Sequence, residues 1–294
     1  LDKVAEEVAM GLHVAPEVHA EEAGDLEEPR IDLAQEARMR ERRPIAEEAG
    51  HPSAHPIWRD EVSARLATER LLRLAAETSR QVHVLHVTSR DEAELLGNWK
   101  HLATMEVTPQ HLSFAAPDCY ERLGTLAQMN PPIRSREHQE ALWEAVWNGT
   151  ADVLGSDHAP HTLEEKAQPY PRSPSGMTGV QTLLPVMLTH VLNGRLTLER
   201  LVDLGAAGPA RIFQIARKGR IARGYDADFA IVDLKKSQLL RREWIASKSG
   251  WSPYEGQMLK GWPIHTVLRG NIVVRDGAIQ GNPQGEPVRF LDVP

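Results

Sequence analysis

The chain has 294 residues, 41% of them hydrophobic, and a formal net charge of −7 at neutral pH. That length can bury a full core as one large or two modest domains, and the acidic balance argues against a nucleic-acid-binding face, which would carry a basic excess. No apolar run approaches the roughly 18–20 residues of a membrane span, and the single cysteine, Cys119, excludes an internal disulfide framework and fits a reducing compartment, the cytoplasm by default.

The chain opens on Leu1 rather than Met, and Leu1–Met10 already reads as a helix through Val4 and Val8; the expectation is that an N-terminal portion precedes it. Leu12–His19 alternates imperfectly and reads as a strand ending in His19-Ala20-Glu21-Glu22. Glu21–Arg43 is dense in charge with only a thin apolar stripe (Ile31, Leu33, Ala34), the pattern of an exposed helical excursion with a solvated face. In His51-Pro52-Ser53-Ala54-His55-Pro56 the prolines favour turns and oppose the helix that an i, i+4 metal pair would need, so His51 and His55 read as structural. Asp60–Glu77 has helical spacing through Val62, Leu66, Leu71, Leu72, Leu74 and Ala75.

Val82-His83-Val84-Leu85-His86-Val87 is a short β-branched run of the kind buried in parallel sheets, with His86 near its end. Thr88-Ser89 are N-cap candidates for a helix over Asp91–Trp99. Thr104–Thr108 reads as the next strand, closed by Pro109-Gln110-His111. Gln128–Arg134 is a loop pinned by two prolines, Glu137–Trp147 an amphipathic helix, and Asp152–Gly155 a strand. That strand delivers Ser156-Asp157-His158-Ala159-Pro160-His161, an acid and two histidines within five residues, and carboxylate and imidazole are ligands that divalent metals accept. Strands alternating with helices indicate a parallel α/β architecture, and His19, His86 and Asp157 all fall at strand C-termini, where α/β barrels build their sites.

After the motif, Pro171–Gly179 is a loop whose Gly176 and Gly179 allow close backbone approach to a ligand; a plain surface connection is the equal alternative. Val180–Leu192, Thr197–Leu204 and Pro209–Gln214 read as helices. From Gly219 the character turns to β: an apolar strand over Phe229–Leu234, then His265–Arg269, Asn271–Arg275 and Ala278–Gln280, with Asp276-Gly277 as a hairpin signal. The boundaries are therefore 1–218 for the barrel portion and 219–294 for a small β domain.

Five segments together resemble the class I dihydroorotases of the amidohydrolase superfamily. They are His19-Ala20-Glu21-Glu22, Leu85-His86-Val87-Thr88-Ser89, Glu106-Val107-Thr108-Pro109-Gln110-His111-Leu112, Met129-Asn130-Pro131-Pro132-Ile133-Arg134 and Ser156-Asp157-His158-Ala159-Pro160-His161. The likeness runs from about residue 12 to the end, and Gly224-Tyr225-Asp226-Ala227-Asp228-Phe229 is similar to the start of that superfamily's small β domain. The resemblance implies a (β/α)8 TIM-type barrel, its N-terminal strands missing from this sequence, with a C-terminal β domain. It implies Zn2+, two per complete site, with His19, His86 and Asp157 as ligands and Asp157 also as the catalytic acid/base. Asn130, His161, Ser175 and Gly176 match substrate-contacting positions. The implied reaction is the reversible cyclisation of N-carbamoyl-L-aspartate to L-dihydroorotate in pyrimidine synthesis, and the implied assemblies are a homodimer or a complex with aspartate transcarbamoylase.

The sequence also departs from that pattern. The His-x-His-x-Arg motif of the first barrel strand is absent, as is the bridging carboxylated lysine or aspartate that should precede His19, so the chain is either a piece of a longer enzyme or a degenerate homologue. Two alternatives stay open: another cyclic amidohydrolase, such as an allantoinase or dihydropyrimidinase, and a non-catalytic dihydroorotase-like subunit that scaffolds aspartate transcarbamoylase.

Overall fold

A computed structural model describes residues 34–291. The helix expected over Leu1–Met10, the strand over Leu12–His19 and His19 itself lie outside the described residues.

Of the charged excursion, Glu21–Leu33 lies outside the described residues, and the described part is helix α1 (Ala34–Ala49), which runs past Arg43 and through Pro44. It is solvated as expected except at Ala46, which packs with Ala54, Tyr170 and Trp58. The His51–Pro56 segment is more helical than its prolines suggest: a 3-10 turn over Pro52–Ala54 leads into α2 (His55–Trp58). Proline is tolerated in a first turn, where its missing N–H has no partner to lose, and the His51 ring accepts from Ser53 N to cap the turn. Helix α3 (Glu61–Thr78) starts at Asp60, whose side chain accepts from Ser63 N.

Three parallel strands follow, β1 (Val82–Val84), β2 (Ala103–Val107) and β3 (Val153–Leu154), paired in that order. Val84 pairs with Met105, and Val107 with Leu154. Helix α4 (Arg90–Asn98) connects β1 to β2 and begins with a full capping box between Ser89 and Glu92. Thr108 caps a further short helix, α5 (Pro109–Ser113), where the sequence suggested only a strand stop. Helices α6 (Asp118–Leu123) and α7 (Arg136–Asn148) lead to β3, and α8 (Leu163–Lys166) follows it. The crossovers bury Leu72, Leu96, Leu142, Trp143 and Val146 against Met105, Val107 and Leu154; each such large side chain contributes about 1.5–3 kcal/mol by leaving water.

Helices α9 (Leu183–Leu192) and α10 (Leu198–Val202) close that core, and a π-turn over Asp203–Ala207 joins α10 to α11 (Gly208–Ile212). An antiparallel sheet, ordered β4-β5-β6-β7, ends the described chain: β4 (Phe229–Leu239), β5 (Met258–Leu268), β6 (Asn271–Arg275) and β7 (Ala278–Ile279). The first two are longer than hydropathy suggests. Polar Lys235-Lys236-Ser237 continue β4 through a register shift between Asp233 and Ser237. A second core joins this late segment to the parallel part: Leu240, Trp251, Tyr254, Leu259 and Trp262 pack with Phe114, Tyr120, Met129, Ile133 and Met177.

Candidate active site

The C-terminal ends of the three parallel strands converge on a small group of polar side chains. His86, two residues beyond β1, has φ of 37°, and Asp157, three residues beyond β3, has φ of 42°. Both are left-handed conformations that a non-glycine residue adopts only where its surroundings enforce it, a common feature of functional sites. Burial raises the Asp157 carboxyl above the ordinary carboxylate range; nearby His86 pulls it down and nearby Glu106 pushes it up. The structure thus brings His86 and Asp157 within electrostatic reach of each other. Among the described residues no group of three or more His, Cys, Asp or Glu side chains is placed to hold a metal. The donors present, one imidazole and one carboxylate, are of the kinds that divalent metals accept.

Glu106, at the end of β2, was part of a motif but carried no assigned role. Its Oε1 accepts from His86 N at 3.2 Å, and its Oε2 lies 3.9 Å from His83 Nε2. The carboxylate reaches this place because residue 155 is glycine: a Cβ there would stand 2.3 Å from the Glu106 carboxyl carbon. Glu106 therefore bridges the three strand ends beneath His86 and Asp157.

Asn130 is held on an elaborately tied loop. Buried His55 donates from Nε2 to Asn130 Oδ1 (3.0 Å) and to Met129 O (3.2 Å), while its Nδ1 accepts from Tyr170 OH at 3.3 Å. Both Nε2 partners are acceptors, which places a proton on Nε2; burial, chiefly, brings His55 down to about 3, so the ring is neutral and Nδ1 is the acceptor. His111 donates from Nε2 to Pro131 O at 3.0 Å, and the Arg134 Nε donates to Thr88 Oγ1 at 2.9 Å. His55 thus takes part in no metal cluster among the described residues, yet it orients a candidate substrate contact. Its long separation from Asn130 hid that from the sequence.

His161 donates from Nε2 to Ser175 O (3.1 Å), and its own carbonyl accepts from Trp251 Nε1 (2.8 Å). Gly176 has φ of 149°, and a Cβ on it would lie 2.5 Å from Ala159 O and 3.0 Å from His161 Cδ2. Ser175 Oγ accepts from Gln128 Nε2 at 3.3 Å. The loop following the motif is therefore packed onto it, and the segments carrying His161, Ser175, Gly176 and Asn130 are tied together, Gly176 N donating to Gln128 O at 2.9 Å. His158, for which the sequence suggested no role, accepts from Gly179 N at 3.0 Å and anchors the same loop.

Comparison with known proteins identifies the family. The model of the amidohydrolase family matches residues 64–273. The dihydroorotase of Pyrococcus abyssi is 39% identical over 239 residues, 81% of this chain and 56% of that protein. Among solved structures, the L-hydantoinase (dihydropyrimidinase) of Arthrobacter aurescens superposes with a TM-score of 0.79 at 32% identity, covering 83% of this chain and 56% of that one. The inactive dihydroorotase-like domain of a Chaetomium thermophilum CAD-like multifunctional protein gives 0.55 at 25% identity, covering 72% and 57%. The chain spans about half the length of the curated relatives it matches. The parallel strands with their crossover helices are a TIM-barrel-type arrangement, and the family model covers most of the chain: the protein belongs to the amidohydrolase family.

Proposed function

We propose that these residues form part of a zinc-dependent dihydroorotase, which interconverts N-carbamoyl-L-aspartate and L-dihydroorotate in pyrimidine synthesis. The observation that carries this reading is Asp157, half-buried just beyond β3 and within electrostatic reach of His86, together with the linked loops that carry Asn130, His161, Ser175 and Gly176. Likeness to dihydroorotases supports the substrate class.

Membership of the family implies a metal, and His19, His86 and Asp157 are the residues here that would hold zinc, two ions per complete site. Bound zinc lowers the pKa of water to about 7 and so supplies hydroxide at neutral pH. In the hydrolytic direction the Asp157 carboxylate accepts the proton from the attacking oxygen and delivers it to the departing ring nitrogen; in cyclisation it runs the reverse. A carboxyl whose proton affinity is raised by burial suits both halves of that transfer. Asn130, His161 and the backbone at Ser175 and Gly176 would orient the substrate, His161 meeting its carboxylate. In this reading residues 1–218 belong to the barrel and 219–294 to the small β domain, and the protein works in the cytoplasm as a homodimer or with aspartate transcarbamoylase. No helix among the described residues is long and apolar enough to cross a membrane.

Turnover of dihydroorotate, allantoin and dihydrouracil should be compared in the longest form of the protein in which these residues occur. Dihydroorotate is expected to be preferred, and equal or better turnover of the others points to a different cyclic amidohydrolase. The 294-residue chain alone is expected to bind zinc weakly, because it supplies only three of the ligands; stoichiometric two-zinc content with turnover would contradict that. A non-catalytic subunit is the second reading, suggested by the likeness to the inactive dihydroorotase-like domain of the Chaetomium thermophilum protein. Absence of both bound zinc and turnover in the longest form would establish it.

A further inference from the structure

Lys166, the last residue of α8, is only 1% exposed. Its Nζ donates to three carbonyl oxygens: Gln128 at 2.9 Å, Pro174 at 2.8 Å and Gly176 at 3.1 Å. An ammonium has three N–H donors and no acceptor, so these carbonyls satisfy it completely. A neutral amine would turn a lone pair toward one of them. Burying a cation among neutral carbonyls is costly unless every donor is used, and burial alone draws Lys166 down to about 7.

The three carbonyls belong to the two linked loops that carry Asn130 and Ser175. Gln128 lies two residues before Asn130, while Pro174 and Gly176 flank Ser175. Gln128 O also accepts from Gly176 N at 2.9 Å, and Gln128 Nε2 donates to Ser173 O at 2.7 Å. Lys166 is joined to His161 through α8, which Thr162 and Glu165 close as a capping box. Its own carbonyl accepts from Ser173 Oγ at 3.2 Å. Two of the candidate substrate-binding loops thus meet at one ammonium group, and the chain that carries it leads back to His161.

We infer that Lys166 is a positioning residue that sets the separation between the Asn130 loop and the His161–Gly176 backbone, and so the fit of the substrate carboxylate. The inference rests on the reading of those residues as substrate contacts. Lysine suits the position because one flexible stem brings three divergent donors to carbonyls from two loops, whereas a methionine of similar length brings none.

The test uses Lys166→Met and Lys166→Gln in the longest form of the protein. In Lys166→Met, amide hydrogen exchange over 128–134 and 173–179 should quicken by about tenfold or more, with α7 and β4–β6 unchanged. Unchanged loops, or uniform quickening throughout, would overturn the inference. With dihydroorotate, KM should rise about tenfold while kcat stays within about threefold, with Lys166→Gln intermediate because it keeps two donors. Dihydrouracil, which lacks the carboxylate, should show a smaller rise in KM; an unchanged KM for dihydroorotate counts against the inference. If the wild type does not turn over dihydroorotate, the proposed function fails, and the exchange measurement still decides the role of Lys166. Should neither variant fold, nitrogen-15 NMR of the wild type at about pH 5.5, below the Lys166 value of about 7, decides: slowly exchanging ammonium protons on Lys166 support the node, and rapidly exchanging, solvent-like protons overturn it.

Discussion

Asp157 and the buried histidines allow two tests with opposite readouts. Asp157→Asn keeps the shape and removes the proton acceptor, so kcat should fall by about 100-fold or more, the usual worth of general acid–base catalysis, with the denaturation midpoint little changed. His55 and His190 bear on stability instead. Burial first, then Arg59 for His55 and Arg195 for His190, depresses them from 6.5 to about 3 and about 4. Each is neutral in the fold and takes up a proton on unfolding below its ordinary value. Their stabilising contribution is therefore complete above pH 6.5 and is lost as pH falls, at up to about 1.4 kcal/mol per pH unit for each histidine. Urea midpoints should drop between about pH 6.5 and pH 4, less steeply for His190→Gln, and a flat profile would contradict the burial argument.

Individual elements show what sequence reading could reach. The strand ends carrying His86 and Asp157 were legible, because short β-branched runs alternating with amphipathic helices have few alternatives to a parallel sheet. The partners of those residues were not. His55 meets Asn130 across 75 positions, and Lys166 meets Gln128 across 38, distances over which no periodicity speaks. Helix α5 was missed for a local reason: Pro109 looks like a strand stop, yet after Thr108 it occupies the first helical turn, where its fixed φ is an advantage. The Gly176 loop was left evenly balanced between ligand contact and surface connection, and its packing against Ala159 and His161 shows a built element. Gly176→Ala should cost about 1–3 kcal/mol through strain and overpacking and displace Ser175 from His161. A denaturation midpoint equal to the wild type would show that the loop yields freely.

At the scale of the molecule, the parallel strands and the antiparallel sheet meet in a shared core. Trp251, Tyr254 and Trp262 are fully buried beside Phe114, Met129 and Met177, and Trp251 reaches the site itself through the His161 carbonyl. Expression of residues 1–218 alone would uncover that surface, and the product should be aggregated or molten by near-ultraviolet circular dichroism. A soluble product with native near-ultraviolet signals would show that the barrel portion does not need the later chain. Composition could separate the two regions but could not show this seam, because aromatic residues scattered along a polar stretch carry no signature of what they face.

The hydrogen bond from His55 to Asn130 fixes which way round the amide lies. With Oδ1 engaged by an N–H donor, the other end of the Asn130 amide is Nδ2, which can only donate. If Asn130 is the substrate contact proposed above, the site would read polarity as well as shape at this point: an incoming carbonyl or carboxylate oxygen would be matched, and an incoming N–H would meet another N–H. Two molecules of the same outline, differing only in which edge carries oxygen and which carries hydrogen, would be told apart by a histidine that touches neither.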